Sequence, residues 1–284
     1  MKIKKNILHQ QKITSEWFQL LRDKICAEFE KIEEEFDSKT SGRFSKKLWD
    51  RDGGGSGEMS LMKGNVFEKV GVNFSKVHGE FSEEFRAQIP GAEKNGAFWA
   101  SGISLVAHMK SPLVPAVHMN TRFICTERNW FGGGADLNPM IEVVADTCDF
   151  HAAFQAACDR ASPDYYPKFK NWCDEYFFIK HRGVSRGVGG IFYDYLENYS
   201  QGDFEKNFDF TKNVGLAFLE IFPQLVRRHM LEKWTDDQRE IQLKKRGLYA
   251  EFNLLYDRGT KFGLMTGGNA EAILMSLPPI AKWD

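Results

Sequence analysis

Apolar side chains at Trp17, Leu20, Leu21, Ile25, Phe29 and Ile32 return at three- and four-residue steps, which predicts an amphipathic helix over residues 14–36. Polar sequence at 37–42 ends it, and Gly53-Gly54-Gly55-Ser56-Gly57 marks a flexible or tight turn. Polar and apolar residues interleave through 58–78, as in short extended pieces. Residues 98–108 and 116–126 are apolar and β-prone. Pro112 and Pro115 break between them, which predicts an antiparallel pair joined by a loop at 109–115. Partial alternation over 121–127 marks a strand with one wet face. A Gly-rich turn at 132–134 and a strand at 141–144 extend the sheet.

Helices are expected at 149–161 and 163–180, with Asp149 and Ser162 as N-caps and Pro163 at the first helical position. Residues 187–190 turn the chain into a short strand at 191–195, and charge-rich helices follow at 203–231 and 235–246. A final hairpin is expected from 248–257 and 261–266, turning at Asp257-Arg258-Gly259-Thr260. The closing helix, 269–276, is stopped by Pro278-Pro279. The long helices argue against a β-sandwich, and strict βαβ alternation is absent. The pattern predicts an α+β fold, a largely antiparallel β-sheet flanked by helices on both faces, in a single domain. Residues 1–13 are read as a flexible N-terminal segment.

Composition adds constraints. With 284 residues, the chain can bury a substantial core without staples. Its 24 Phe fill either a Phe-rich core or a pocket for a flat organic ligand. A net charge of -1 lacks the global basic field of nucleic-acid binders, so no nucleic-acid partner is expected. Cys26, Cys125, Cys148, Cys158 and Cys173 are odd in number and include no CxxC pair, which fits reduced cytoplasmic thiols. The basic N-terminus lacks the apolar run of a signal peptide, and no run of apolar residues predicts a transmembrane segment.

Several residues could carry chemistry. His108 and His118 flank the proline break and would share one face of a paired sheet; His151 and His181 lie in or near expected helices. Four histidines can bind a metal, yet each is also readable as an ordinary hydrogen-bonded side chain. Arg122, inside an apolar strand, demands either a protein carboxylate or a ligand carboxylate. Asn120 is expected on the face opposite Arg122, its side chain reaching a ligand only if the strand is bulged. Asp136, after Gly132-Gly133-Gly134-Ala135, caps a turn or places an anion over N–H groups. Positive charge gathers at 181–187, which with Arg122 and Arg258 suits a multiply charged anion. Thr266-Gly267-Gly268-Asn269 precedes the last helix, where backbone N–H groups can hold a carboxylate. The Gly53–Gly57 run lacks a P-loop ending, and neither GxSxG nor GxGxxG occurs.

In these segments the chain resembles the aerobic coproporphyrinogen III oxidase family. The stretches that carry the resemblance are GNVFEKVGVNFS at 64–75, SLVAH at 104–108, VHMNTRF at 117–123, WFGGGADL at 130–137, WCDEYF at 172–177, KHR at 180–182 and EFNLLYDRGT at 251–260. They keep their order from about residue 15 to the C-terminus. The resemblance implies oxidative decarboxylation of coproporphyrinogen III to protoporphyrinogen IX, with O2 as co-substrate, CO2 and H2O2 as products, and no organic cofactor. It implies a cytoplasmic homodimer in haem biosynthesis, whose C-terminal segment near 249–284 contributes to dimerisation. His118 falls on the family's proposed proton donor. Ser104, Asn120, Thr121, Arg122, Arg258, Gly267, Gly268 and Asn269 are the implied substrate-binding residues. Asp136 falls on an aspartate thought to face the pyrrole N–H groups. His108, His118, His151 and His181 fall on histidines sometimes proposed to bind a divalent metal. Asn138, Tyr195 and Asn269 depart from residues frequent in relatives. The rival readings are a non-catalytic tetrapyrrole carrier and a metal-dependent oxygenase acting on another small acid.

Overall fold

A seven-stranded sheet organises the molecule. The structure is a computed structural model that describes residues 2–198, 200, 202–265 and 268–283. Helix α1 (Lys2–Phe36) leads into β1 (Ser45–Asp50), β2 (Gly55–Met62), β3 (Phe67–Glu80), the short α2 (Glu83–Arg86), β4 (Ala97–Met109), β5 (Ala116–Cys125) and β6 (Asn129–Asn138). Then come α3 (Val144–Asp159), α4 (Tyr165–Tyr176), β7 (Phe178–Ile179), β8 (Val184–Ser185) and β9 (Gly189–Glu197). The chain closes with α5 (Asp203–His229), α6 (Asp236–Leu255), α7 (Arg258–Met265) and α8 (Ala270–Leu274). The main sheet runs β1-β2-β3-β4-β5-β6-β9, and every pairing in it is antiparallel.

One face is the core. Val70, Val72 and Phe74 of β3, Ile103 and Leu105 of β4, Met119 and Phe123 of β5 and Phe131 of β6 are buried there. Helix α1 covers them with Phe18, Leu21, Ile25, Phe29 and Ile32, a single stripe at helical spacing. Phe29 stacks on Phe67 at 4.6 Å and meets Phe218 and Phe222 of α5 edge-on. Most of the phenylalanines are spent on this layer. On the other face α6 crosses the end of β4, where Tyr249 meets His108 edge-on at 5.0 Å. Helix α6 begins with a full capping box, Thr235 with Gln238.

The α+β class, the β4–β5 pair and the helical layer agree with the sequence. Other elements differ. The first helix starts at Lys2 rather than residue 14, so it runs on through the segment read as flexible. Gly132, Gly133 and Gly134 are not a turn but the middle of β6, and 141–143 is not a strand but the lead into α3. The N-caps of α3 and α4 are Val143 and Asp164, not Asp149 and Ser162. The expected final hairpin is helical, the end of α6 and α7. Its buried residues Tyr249, Phe252 and Asn253 recur at three to four, with Arg246 and Gln242 continuing the stripe. Because half of that stripe is polar, apolar periodicity alone did not reveal it. All five cysteines are free thiols.

Candidate active site

The second face of the same strands carries most of the candidate residues. Alternate residues form three rows across the sheet. One is Ser75, Gly102, Arg122 and Gly132; the next is Asn73, Ser104, Asn120, Gly134 and Phe192; the third is Gly71, Val106, His118, Asp136 and Gly190. Few of these side chains are large, and Ser104 stays exposed in the middle of a central strand. Asn120 Oδ1 is buried and has no hydrogen-bond partner. A buried amide oxygen left so signals an absent donor. Strand β5 shows no register shift against either neighbour, so Asn120 and Arg122, two residues apart, share this face. The expectation that they face apart is corrected by simple alternation. Thr121 sits between them, fully buried on the helical side.

Arg122 pairs with Asp194 at 2.7 Å, so the protein carboxylate is the partner this arginine demanded. The guanidinium lies over Gly132: a Cβ there would stand 2.8 Å from Arg122 Nη2 and 2.6 Å from Asp194 Oδ1. Opposite Gly132 the β6–β9 register shifts, and Asp194 and Tyr195 occupy the bulge. Tyr195 takes φ 53°, and its N–H donates to Asp194 Oδ1 at 3.0 Å. The bulge thus aims Asp194 at Arg122.

Asp136 is only 1% exposed. Arg186 Nη2 donates to its Oδ1 at 2.7 Å and to its Oδ2 at 2.8 Å. Asn138 Nδ2 donates to Oδ2 at 2.9 Å, and His118 Nδ1 lies 2.8 Å from Oδ1. Burial opposes the charge, but Arg186 and His118 outweigh it and hold the carboxyl down at about 2. The carboxylate expected to face pyrrole N–H groups thus has protein partners on both oxygens. A buried anion needs compensation, and Arg186 supplies it. Arg186 is held by Asn253 Oδ1, which accepts from Nη1 at 2.9 Å. Its guanidinium also lies 4.0 Å, 4.6 Å and 4.7 Å from the ring centroids of Phe177, Tyr249 and Phe252. His118 keeps 15% side-chain exposure. A carboxylate on Nδ1 fixes the tautomer and leaves Nε2 as the nitrogen for exchange with a ligand.

Beside this face opens a cleft of about 770 Å³, walled by Trp172, Tyr176, Tyr256 and Arg258. Arg258 lies 5.1 Å over the Tyr176 ring, and Tyr176 stacks on Phe192 at 4.3 Å and 7°. Phe192 belongs to the Asn120 row, so the cleft adjoins it. Gly268 donates its N–H to Gly263 O at 2.8 Å, and Asn269 caps α8 through Oδ1. Gly267 lies outside the described residues.

The four histidines do not come together as a ligand set. His108 is fully buried, with Nε2 2.9 Å from Ser276 O. His151 uses both nitrogens, on Val188 O and Tyr166 Oη. His181 uses both, on Tyr256 Oη and Glu251. Among the described residues, no group of three or more His, Cys, Asp or Glu is placed to hold a metal. The residues present do not fit the proposed centre. Sequence reasoning left Arg186, Asp194 and Asn253 out of the site. Arg186 did lie in the positive run at 181–187, while Asp194 and Asn253 gave no signal apart from their partners.

Residues 13–284 match the family described as coproporphyrinogen III oxidase. A relative named oxygen-dependent coproporphyrinogen-III oxidase, from Rickettsia bellii, is 62% identical over 276 residues, covering 96% of this chain and 98% of the relative. Proteins of that name from Rickettsia akari and Rickettsia conorii are 59% identical over 280 and 281 residues, 98% of this chain and 99% of each relative.

Proposed function

The chain belongs to the coproporphyrinogen III oxidase family, and from that premise we infer that it is an oxygen-dependent enzyme of haem biosynthesis acting on coproporphyrinogen III. Two propionates of the substrate become vinyl groups, giving protoporphyrinogen IX. Each propionate loses CO2 and, from its β-carbon, one hydrogen with two electrons. O2 takes these together with one proton and leaves as H2O2. The observation that carries the assignment to a place in the molecule is the sheet face around Asn120. It is depleted of large side chains, polar, and rimmed by arginine and aromatic groups, which suits a flat polyacid. The tetrapyrrole carrier and the alternative oxygenase are not favoured.

Ser104 and Asn120 would meet the ring and its carboxylates from the floor, with Arg122 and Arg258 as the cations. Arg122 would then share its guanidinium between Asp194 and a propionate, which its five donors allow. His118 would move the proton that the peroxide needs, through Nε2. Asp136 and Arg186 would act through His118, fixing its orientation and balancing its charge. The electron-rich pyrrole would react with O2 directly, and the peroxide so formed would remove the β-hydrogen as CO2 leaves.

A homodimer is part of the proposal. Leu254, Leu255, Leu264, Ile280 and Trp283 of the C-terminal region are each at least 44% exposed, which favours a covered apolar surface there. A cytoplasmic location is also part of the proposal; among the described residues no helix is long and apolar enough to cross a membrane. The test of function is conversion of coproporphyrinogen III by purified protein with and without air. Vinyl formation coupled to O2 uptake is expected. Binding without turnover in air would favour the carrier instead.

A further inference from the structure

We propose that Tyr176 is a positioning residue that sets Arg258 for a substrate carboxylate, an inference that rests on the proposed binding role of Arg258. Three contacts converge on this one side chain. Its Oη donates to Asp257 Oδ1 at 2.9 Å and accepts the backbone N–H of Arg258 at 3.0 Å. Its ring carries the Arg258 guanidinium at 5.1 Å, on a stack with Phe192 at 4.3 Å. Asp257 Oδ2 in turn accepts from Thr260 N at 2.7 Å. Tyr176 therefore fixes both ends of Arg258, the main chain through its hydroxyl and the guanidinium through its face.

The chemistry agrees with that role. Burial, and after it the Asp257 carboxylate, push the phenol up to about 12, so the hydroxyl keeps the proton it donates. Among the described residues, Arg258 has no carboxylate partner and lines the 770 Å³ cleft. An exposed arginine loses much rotamer freedom when it binds an anion. Stacking on Tyr176 removes part of that loss beforehand, and the benefit appears in substrate binding rather than in the chemical step.

The test is a double-mutant cycle on steady-state turnover of coproporphyrinogen III. Tyr176→Phe deletes only the hydroxyl and should raise KM about five-fold, the worth of one net hydrogen bond, with a much smaller change in kcat. In an Arg258→Ala background the same substitution should leave KM where it was. An unchanged KM in Tyr176→Phe, or an equal rise in both backgrounds, would overturn the proposal. Arg258→Lys gives a second arm that leaves Tyr176 intact. It keeps the charge but loses the planar face, so a KM no higher than that of the unsubstituted protein would also overturn it. Absence of turnover by the unsubstituted protein would instead strike the function on which the inference depends.

Discussion

The two faces of the seven-stranded sheet are built from the same strands and differ in almost everything else. Toward α1 and α5 the residues are Val72, Ile103, Met119, Phe123 and Phe131, all buried in one apolar layer. Toward the cleft their immediate neighbours include Gly102, Ser104, Asn120, Arg122 and Gly132. One residue's shift along a strand moves from dry packing to ion pairs, glycines and an unpartnered amide. The first face holds the sheet in place. The second carries few large side chains because it does not have to supply the core, and so has room for a ligand. This division predicts that substitutions on the first face change stability and those on the second change binding or turnover.

The largest expected effect lies where the division should fail. Arg186→Met would leave Asp136 as a buried anion without its main partner, costing about 3–5 kcal/mol of stability and turnover as well. Denaturant unfolding and steady-state kinetics would both register it. Phe131→Ala, on the core face, should cost about 3–5 kcal/mol in the same unfolding experiment. The fraction that remains folded should keep its kcat, and a large loss of kcat would break the comparison.

His108 supplies a pH-dependent case. Burial holds its ring low, at about 3, against the pull of the Ser276 carbonyl. The unfolded chain takes up this proton below roughly pH 6.5 while the folded chain does not until near pH 3, so stability must fall as pH falls through that window. The slope from this group is at most about 1.4 kcal/mol per pH unit. His108→Gln should flatten the difference in unfolding free energy between pH 6 and pH 4; an unaltered slope would show that the ring is not buried neutral.

Gly132→Ala sharpens the contrast on the open face. Its Cβ would press on Arg122 and Asp194, and KM should rise about ten-fold, near 1.4 kcal/mol, with little change in stability. The smallest effect is expected at the bulge. Tyr195→Asn relieves a positive φ that asparagine tolerates better, and should raise stability by about 0.5–1 kcal/mol with KM unchanged. A rise in KM would mean that the tyrosine itself aims Asp194.

Much of this contrast was legible in the chain. Apolar β-prone runs broken at Pro112 and Pro115 identified β4 and β5, helical spacing identified α1, and ordered motifs brought out His118, Asn120, Arg122 and Asp136. The glycines at 132–134 misled because glycine signals a turn when read locally. Here Gly132 leaves room for a guanidinium, which only the register with Arg122 reveals. The buried face of α6 was hidden because Gln242, Arg246 and Asn253 are polar and bond to distant carbonyls and side chains. The partners Asp194 and Arg186 lie 72 and 50 positions from Arg122 and Asp136, and no local pattern joins them.

The central claim is that the polar, glycine-lined face receives the tetrapyrrole. A crystal structure of the protein with coproporphyrin III, the oxidised and stable form of the substrate, tests it most directly. The ring is predicted over the Ser104–Asn120–Gly134 row, with a donor to Asn120 Oδ1 and propionates at Arg122 and Arg258. A ring bound elsewhere on the protein, with this face left to solvent, would contradict the account.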